Sequence, residues 1–133
     1  MTLDAMTPNP VWVADAYADT VAVLEAYREE VTYRIWGGDW CRDTTAQLPD
    51  FAAALEAAGV PDGRIEVHAV DEDKRGPGVD ASGIEQVPTV LVERDGEELA
   101  RFVEREGEPI AVWIADRLVE RLGAPGGAES YVD

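Results

Sequence analysis

The chain holds one cysteine, Cys41, one lysine, Lys74, and one histidine, His68, among 133 residues. A lone thiol cannot close an intramolecular disulfide, so any disulfide must join Cys41 to another molecule. With a single His and a single Cys, a metal site would have to be built from carboxylates alone, and no run of them clusters for it. The sequence therefore implies neither metal nor cofactor. Long apolar runs are missing too: no stretch approaches the roughly 20 residues that span a bilayer. The N-terminal MTLDAMTPNP lacks the basic and then apolar pattern of an export signal. The expectation is a cytoplasmic protein with no membrane contact.

Basic residues are scarce. Eleven Lys and Arg against 28 Asp and Glu give a formal charge of -17, which excludes general electrostatic binding to nucleic-acid phosphates or anionic lipid. A basic partner stays open, but the acids are spread over the whole chain rather than gathered in a tail, which favours a solvated acidic surface. Dense carboxylates with almost no lysine resemble the proteins of salt-loving archaea. At about 1 M salt the Debye length is near 3 Å, so self-repulsion in such a coat is largely screened.

With 46% hydrophobic residues the chain can build a core without disulfides. The pattern predicts a single domain over 1–122, with a core from 31 to 122 and an N-terminal helical segment over 9–30. The aperiodic GAPGGAESYVD over 123–133 reads as a flexible tail. Asn9-Pro10 resembles a helix start, with Val21, Leu24, Ala26 and Tyr27 on one side. VTYRIW (31–36) and RIEVHAV (64–70) read as strands. Between them Leu48, Phe51, Ala52, Leu55 and Ala58 recur at helical spacing from Arg42, with Pro49 bending the helix. PTVLVERDGEELARFV reads as two strands around an Asp95-Gly96 turn, and Pro109 to Leu122 as an amphipathic helix. VDEDKRGPGVD, before the hairpin, reads as a solvated loop, with a divalent-cation site as the lesser alternative. This order predicts an α/β fold: a central mixed sheet, helices on both faces, and an antiparallel hairpin at one edge.

Cys41 then falls where a strand ends and a helix begins. Free backbone N–H groups and the positive end of the helix dipole stabilise an anion there, and a thiolate is an anion. Arg42 favours that charge if its side chain folds back, whereas a carboxylate at Asp43 opposes it.

Trp40-Cys41-Arg42-Asp43-Thr44, followed by Pro49, resembles the Trp-Cys-x-x-Cys motif of the thioredoxin family. Gly83-Ile84-Glu85-Gln86-Val87-Pro88-Thr89 is similar to that family's segment before the edge hairpin, whose proline is cis and packs on the active-site cysteine. The resemblance covers about Val31 to Leu122 and implies a thioredoxin-like fold. It also implies roles. Cys41 would be the nucleophile and Trp40 a partly exposed platform at the rim. Val87 would offer its backbone N–H and C=O to an extended substrate beside a cis Pro88.

The chain departs from the family twice. Thr44 stands where the resolving cysteine would be, and Ile35 falls near the position of a buried Asp that assists proton transfer. The dithiol cycle is therefore closed to it, and the likeness is to monothiol members of the superfamily. Thr44 could turn its hydroxyl to the thiolate or be an ordinary first-turn residue. Trp12, Trp36 and Trp113 read as core or packing residues, and His68 as a surface or core histidine. The implied function is monothiol thiol–disulfide exchange on a protein or low-molecular-weight mixed disulfide, with an external thiol as resolving partner. The competing class is a non-catalytic module that holds a peptide or protein in the same groove. The protein would be a monomer or a Cys41-linked dimer.

Overall fold

Strand β1, Thr32–Gly37, takes a central place in the sheet, and its alternation decides what packs where. Tyr33 and Ile35 join one apolar cluster and Trp36 joins a second on the opposite face. The computed structural model describes residues 3–124. Strand β2, Ile65–Ala69, runs parallel to β1 with Tyr33 opposite Ile65 and Gly37 opposite Ala69. Strand β3, Thr89–Arg94, is antiparallel on the other side of β1, and β4, Glu97–Val103, forms the edge, giving the order β2-β1-β3-β4. Asp95 and Gly96 join β3 to β4 with φ of 52° and 84°, the left-handed pair that a tight Asp-Gly hairpin turn requires.

Helices lie on both faces, unequally. Helices α1 (Ala18–Ala26), α2 (Arg42–Ala57) and α4 (Ile110–Leu122) bury Leu24, Leu48, Phe51, Ile114 and Leu118 against Tyr33, Ile35, Val90, Val92 and Phe102. The opposite face has a smaller cluster of Trp36, Val70, Ile84, Val87 and Leu91. It is covered by the irregular segment 70–88, whose one short helix, α3 (Val79–Ser82), rests Val79 on that cluster. The Trp36 indole N–H ties the segment down by donating to the Pro77 carbonyl at 2.7 Å.

The N-terminal segment departs from the expected helix over 9–30. Only Ala18–Ala26 is α-helical, preceded by a 3-10 turn at Ala14–Tyr17. Asn9 is drawn elsewhere: its side chain donates to Asp50 at 2.8 Å and accepts the Val11 N–H at 3.1 Å, while its own N–H donates to the Pro49 carbonyl at 3.0 Å. The chain is thus tied to α2 through Asn9 and turns at Pro10-Val11, where Trp12 N–H donates to the Asn9 carbonyl at 3.2 Å. Trp12 stacks on Tyr17 with ring centroids 5.2 Å apart. Val23 and Leu24 are the buried residues of α1, and Ala26 is exposed. Gly123 is non-helical, and Tyr27 donates its hydroxyl hydrogen to the carbonyls of Leu122 and Gly123. The rest of the expected tail, 125–133, lies outside the described residues. No helix among those described is long and apolar enough to cross a membrane.

Candidate active site

Cys41 is the N-cap of α2, with extended backbone (φ -94°, ψ 125°). The first helical bond runs from Thr45 N–H to the Cys41 carbonyl at 3.1 Å. The amides of Arg42, Asp43 and Thr44 thus lie in the first turn, ahead of any intrahelical acceptor. The thiol is half-buried and packs against the smaller apolar cluster. Its Sγ lies 3.7 Å from the Val87 carbonyl oxygen. The Val87–Pro88 peptide bond is cis. That segment is pinned from two sides: Thr89 donates its hydroxyl hydrogen to the Gln86 carbonyl at 2.6 Å, and Glu104 N–H donates to the Pro88 carbonyl at 2.8 Å.

The residues before Cys41 are shaped by contacts that no local pattern announces. Trp40 is 41% exposed, and its indole N–H donates to the Val70 carbonyl at 2.9 Å. The ring thereby lies across Gly38, where an added Cβ would stand 2.3 Å from the indole nitrogen. Only glycine fits beneath it. Asp39 accepts the Asp4 and Ala5 amide hydrogens, each at 2.9 Å. It thus seats the N-terminal turn Asp4–Met6 against α2, with Leu3 and Ala5 buried.

Thr44 is fully buried, and its hydroxyl oxygen accepts the Gly38 amide hydrogen at 3.3 Å. Its methyl lies 3.0 Å from where a Cβ on Gly37 would be, so Thr44 locks the two glycines to the helix. Asp43 is paired with Arg105 of the loop after β4, at 2.9 and 3.2 Å. That hydrogen bond first, and the Asp43 charge second, push Arg105 above its ordinary pKa. Gln47 joins the same loop to α2 by donating to the Glu104 carbonyl at 2.8 Å. Asp43, with no neighbouring cation in sequence other than Arg42, therefore takes its ion-pair partner from 62 positions away. Arg42 is exposed and, among the described residues, pairs with no carboxylate. Ile35 is fully buried among apolar side chains.

The structure thus brings Trp40, Cys41, Val87 and Pro88 together at one end of the sheet and ties Asp43 and Thr44 into its support. Sequence reasoning missed Gly38, Asp39 and Arg105. A glycine directly before Asp-Trp-Cys was the only available signal, and it had no visible partner.

A mixed four-stranded sheet with a cysteine-capped helix beside a cis-proline segment defines a thioredoxin-like fold. Two solved structures agree. A malarial protein matches with a TM-score of 0.50 at 22% identity, over 68% of this chain and 100% of its own. Trxlp from Edwardsiella tarda also matches at 0.50 with 16% identity, over 79% of this chain and 92% of its own. A thioredoxin variant from Halobacterium salinarum covers 90% of this chain and 95% of its own at 21% identity and a TM-score of 0.48. No family model and no curated protein matches the chain.

Proposed function

We propose that this protein performs monothiol thiol–disulfide exchange through Cys41. The observation that carries the reading is the placement of Sγ, which sits at the start of α2 and 3.7 Å from the Val87 carbonyl. Ionisation removes the S–H donor from that carbonyl. The thiolate then faces the free first-turn amides, and the Val87 carbonyl becomes available to an incoming N–H. The thiolate attacks one sulfur of a substrate disulfide, and the other sulfur leaves as a thiolate carrying the bonding electron pair. Thr44 holds the Gly38 amide through its hydroxyl oxygen and so fixes the turn that leads into Cys41. Trp40, Arg42, Val87 and Pro88 form the binding shelf, and Asp43 enters through its pairing with Arg105. An external thiol releases the mixed disulfide, because Cys41 is the only thiol in the chain.

Thr44→Cys tests this reading. Side chains three apart on a first turn are neighbours, and cysteine is no larger than the threonine it replaces. Wild type should accumulate a mixed disulfide on Cys41, seen by mass spectrometry. The variant should shed it by closing an internal disulfide. A folded variant that keeps two free thiols would place Cys41 and position 44 too far apart for a dithiol site.

The acid coat supports a cytoplasm of concentrated salt as the working medium. The melting temperature should rise between dilute buffer and about 1 M monovalent salt, and by more than that of a neutral protein of the same fold. An equal rise in both would remove this part of the reading.

A further inference from the structure

The acidic chain pairs its cations almost everywhere except at the end of the sheet where Cys41 lies. Among the described residues seven arginines lie within 4.0 Å of a carboxylate, whereas Arg42, Arg64, Lys74 and Arg75 do not. Three of those four flank the site. Arg42 follows Cys41, and Lys74 and Arg75 lie in the loop leaving β2, at the end of the sheet where β1, its parallel neighbour, also stops. Three aspartates close in sequence to these cations are occupied: Asp39 holds two amides, Asp43 holds Arg105, and Asp71 accepts the amide hydrogens of Asp73 and Arg75 at 2.9 Å each.

Lys74 is the one of these four cations whose side chain is held by a side-chain hydrogen bond among the described residues. Its backbone is left-handed, with φ of 62°, inside the turn that Asp71 builds. Its half-buried side chain reaches across to Gln86, with Nζ donating to Oε1 at 3.0 Å. Gln86 directly precedes Val87, whose carbonyl faces Sγ. An ammonium carries three donors, and here one neutral amide holds it in place beside the shelf while two donors are left free of any carboxylate among the described residues.

We infer that Lys74 is a specificity-determining residue that selects disulfide substrates carrying a carboxylate near the reacting sulfur. The inference rests on the exchange reading of Cys41. In the reaction Cys41 thiolate displaces one half of the disulfide as a thiolate, and the half retained on Sγ lies along Val87 with its carboxylate against Lys74. Glu72, Asp73 and Glu85 stand exposed in the same loops, so an anion gains there only through a direct contact with the ammonium.

The test compares two disulfide probes that any accessible thiol can open: dithionitrobenzoate, with a carboxylate on each ring, and dithiodipyridine, which is neutral. Rates are measured in about 1 M salt, where charges beyond about 3 Å are screened. Lys74→Gln should lower the ratio of the anionic to the neutral rate about threefold, the size of an exposed ion pair. Lys74→Arg should keep the ratio. Lys74→Asn, whose side chain tolerates the left-handed backbone, should behave as Lys74→Gln does. Arg64→Gln removes the same charge at the far end of β2 and should leave the ratio unchanged. An unchanged ratio in both neutral variants, or an equal fall in Arg64→Gln, would overturn the assignment. Slow reaction of Cys41 with the neutral probe would instead count against the exchange reading, because the ratio still reports on Lys74.

Discussion

The two faces of the sheet are built to different standards. On one, three helices close over Tyr33, Ile35, Val90, Val92 and Phe102, and much of the packing is fully buried. On the other, one short helix and an irregular segment cover Trp36, Val70, Ile84, Val87 and Leu91, while Arg34 lies 5.0 Å above the Trp36 ring and His68 stacks beside it. Cys41 stands at the seam. Its helix belongs to the first face, and its sulfur packs with the second. The difference separates two tasks: the tight face fixes where α2 begins, and the looser face carries the Val87-Pro88 segment beside the thiol, which the exchange proposal makes the substrate shelf.

The largest effect that would break this contrast is in the cores themselves. Phe51→Ala removes a 1% exposed ring from the tight face and should cost about 3–5 kcal/mol in a denaturant titration. Val79→Ala trims a half-buried residue from the looser face and should cost about 1 kcal/mol. Equal losses would mean that the two faces carry equal weight.

Next in size is the seam. Gly38→Ala forces the Trp40 indole off the Val70 carbonyl, since the new Cβ would overlap the ring. A loss of about 1–3 kcal/mol is expected, with a change in tryptophan fluorescence that marks the moved ring. Full stability with unaltered fluorescence would show that the indole does not need that seat.

A smaller effect sharpens the description of the tight face. The Tyr33 hydroxyl is buried without a hydrogen-bond partner among the described residues, and burial pushes its pKa up. Only the unfolded chain can ionise Tyr33 near the ordinary value of ~10, so its contribution is whole below that pH and falls away above it. Tyr33→Phe should be neutral or stabilising by up to about 1 kcal/mol at neutral pH, and should flatten the decline in melting temperature above about pH 10. A clear loss of stability at neutral pH would reveal a partner for the hydroxyl.

The same division explains what could be read from the residues beforehand. Strand β1, the start of α2 at Arg42 and the Asp95-Gly96 turn rest on neighbours in sequence, so β-branched runs, helical spacing and turn chemistry were enough. The 9–17 segment departs from the sequence pattern because Asn9-Pro10 has the form of a helix start, yet Asn9 is claimed by Asp50, a residue 41 positions on. That Cys41 and the Val87-Pro88 segment lie side by side was legible because each sits in a short motif. Asp39 and Arg105 were not, because their partners, Asp4, Ala5 and Asp43, are reached only by folding. Charge satisfied at long range leaves no periodicity.

The central claim is that Cys41 is a nucleophile held ready at the head of α2. Its most direct test is the rate at which iodoacetamide alkylates Cys41 at neutral pH, in about 1 M salt to screen the acid coat, set beside a peptide with one free cysteine. A faster rate than the peptide's, maintained in Lys74→Gln, is the predicted result. A rate equal to or below that of the peptide, in protein shown to be folded, would contradict a thiolate-stabilising site and leave a fold that holds partners without exchanging disulfides.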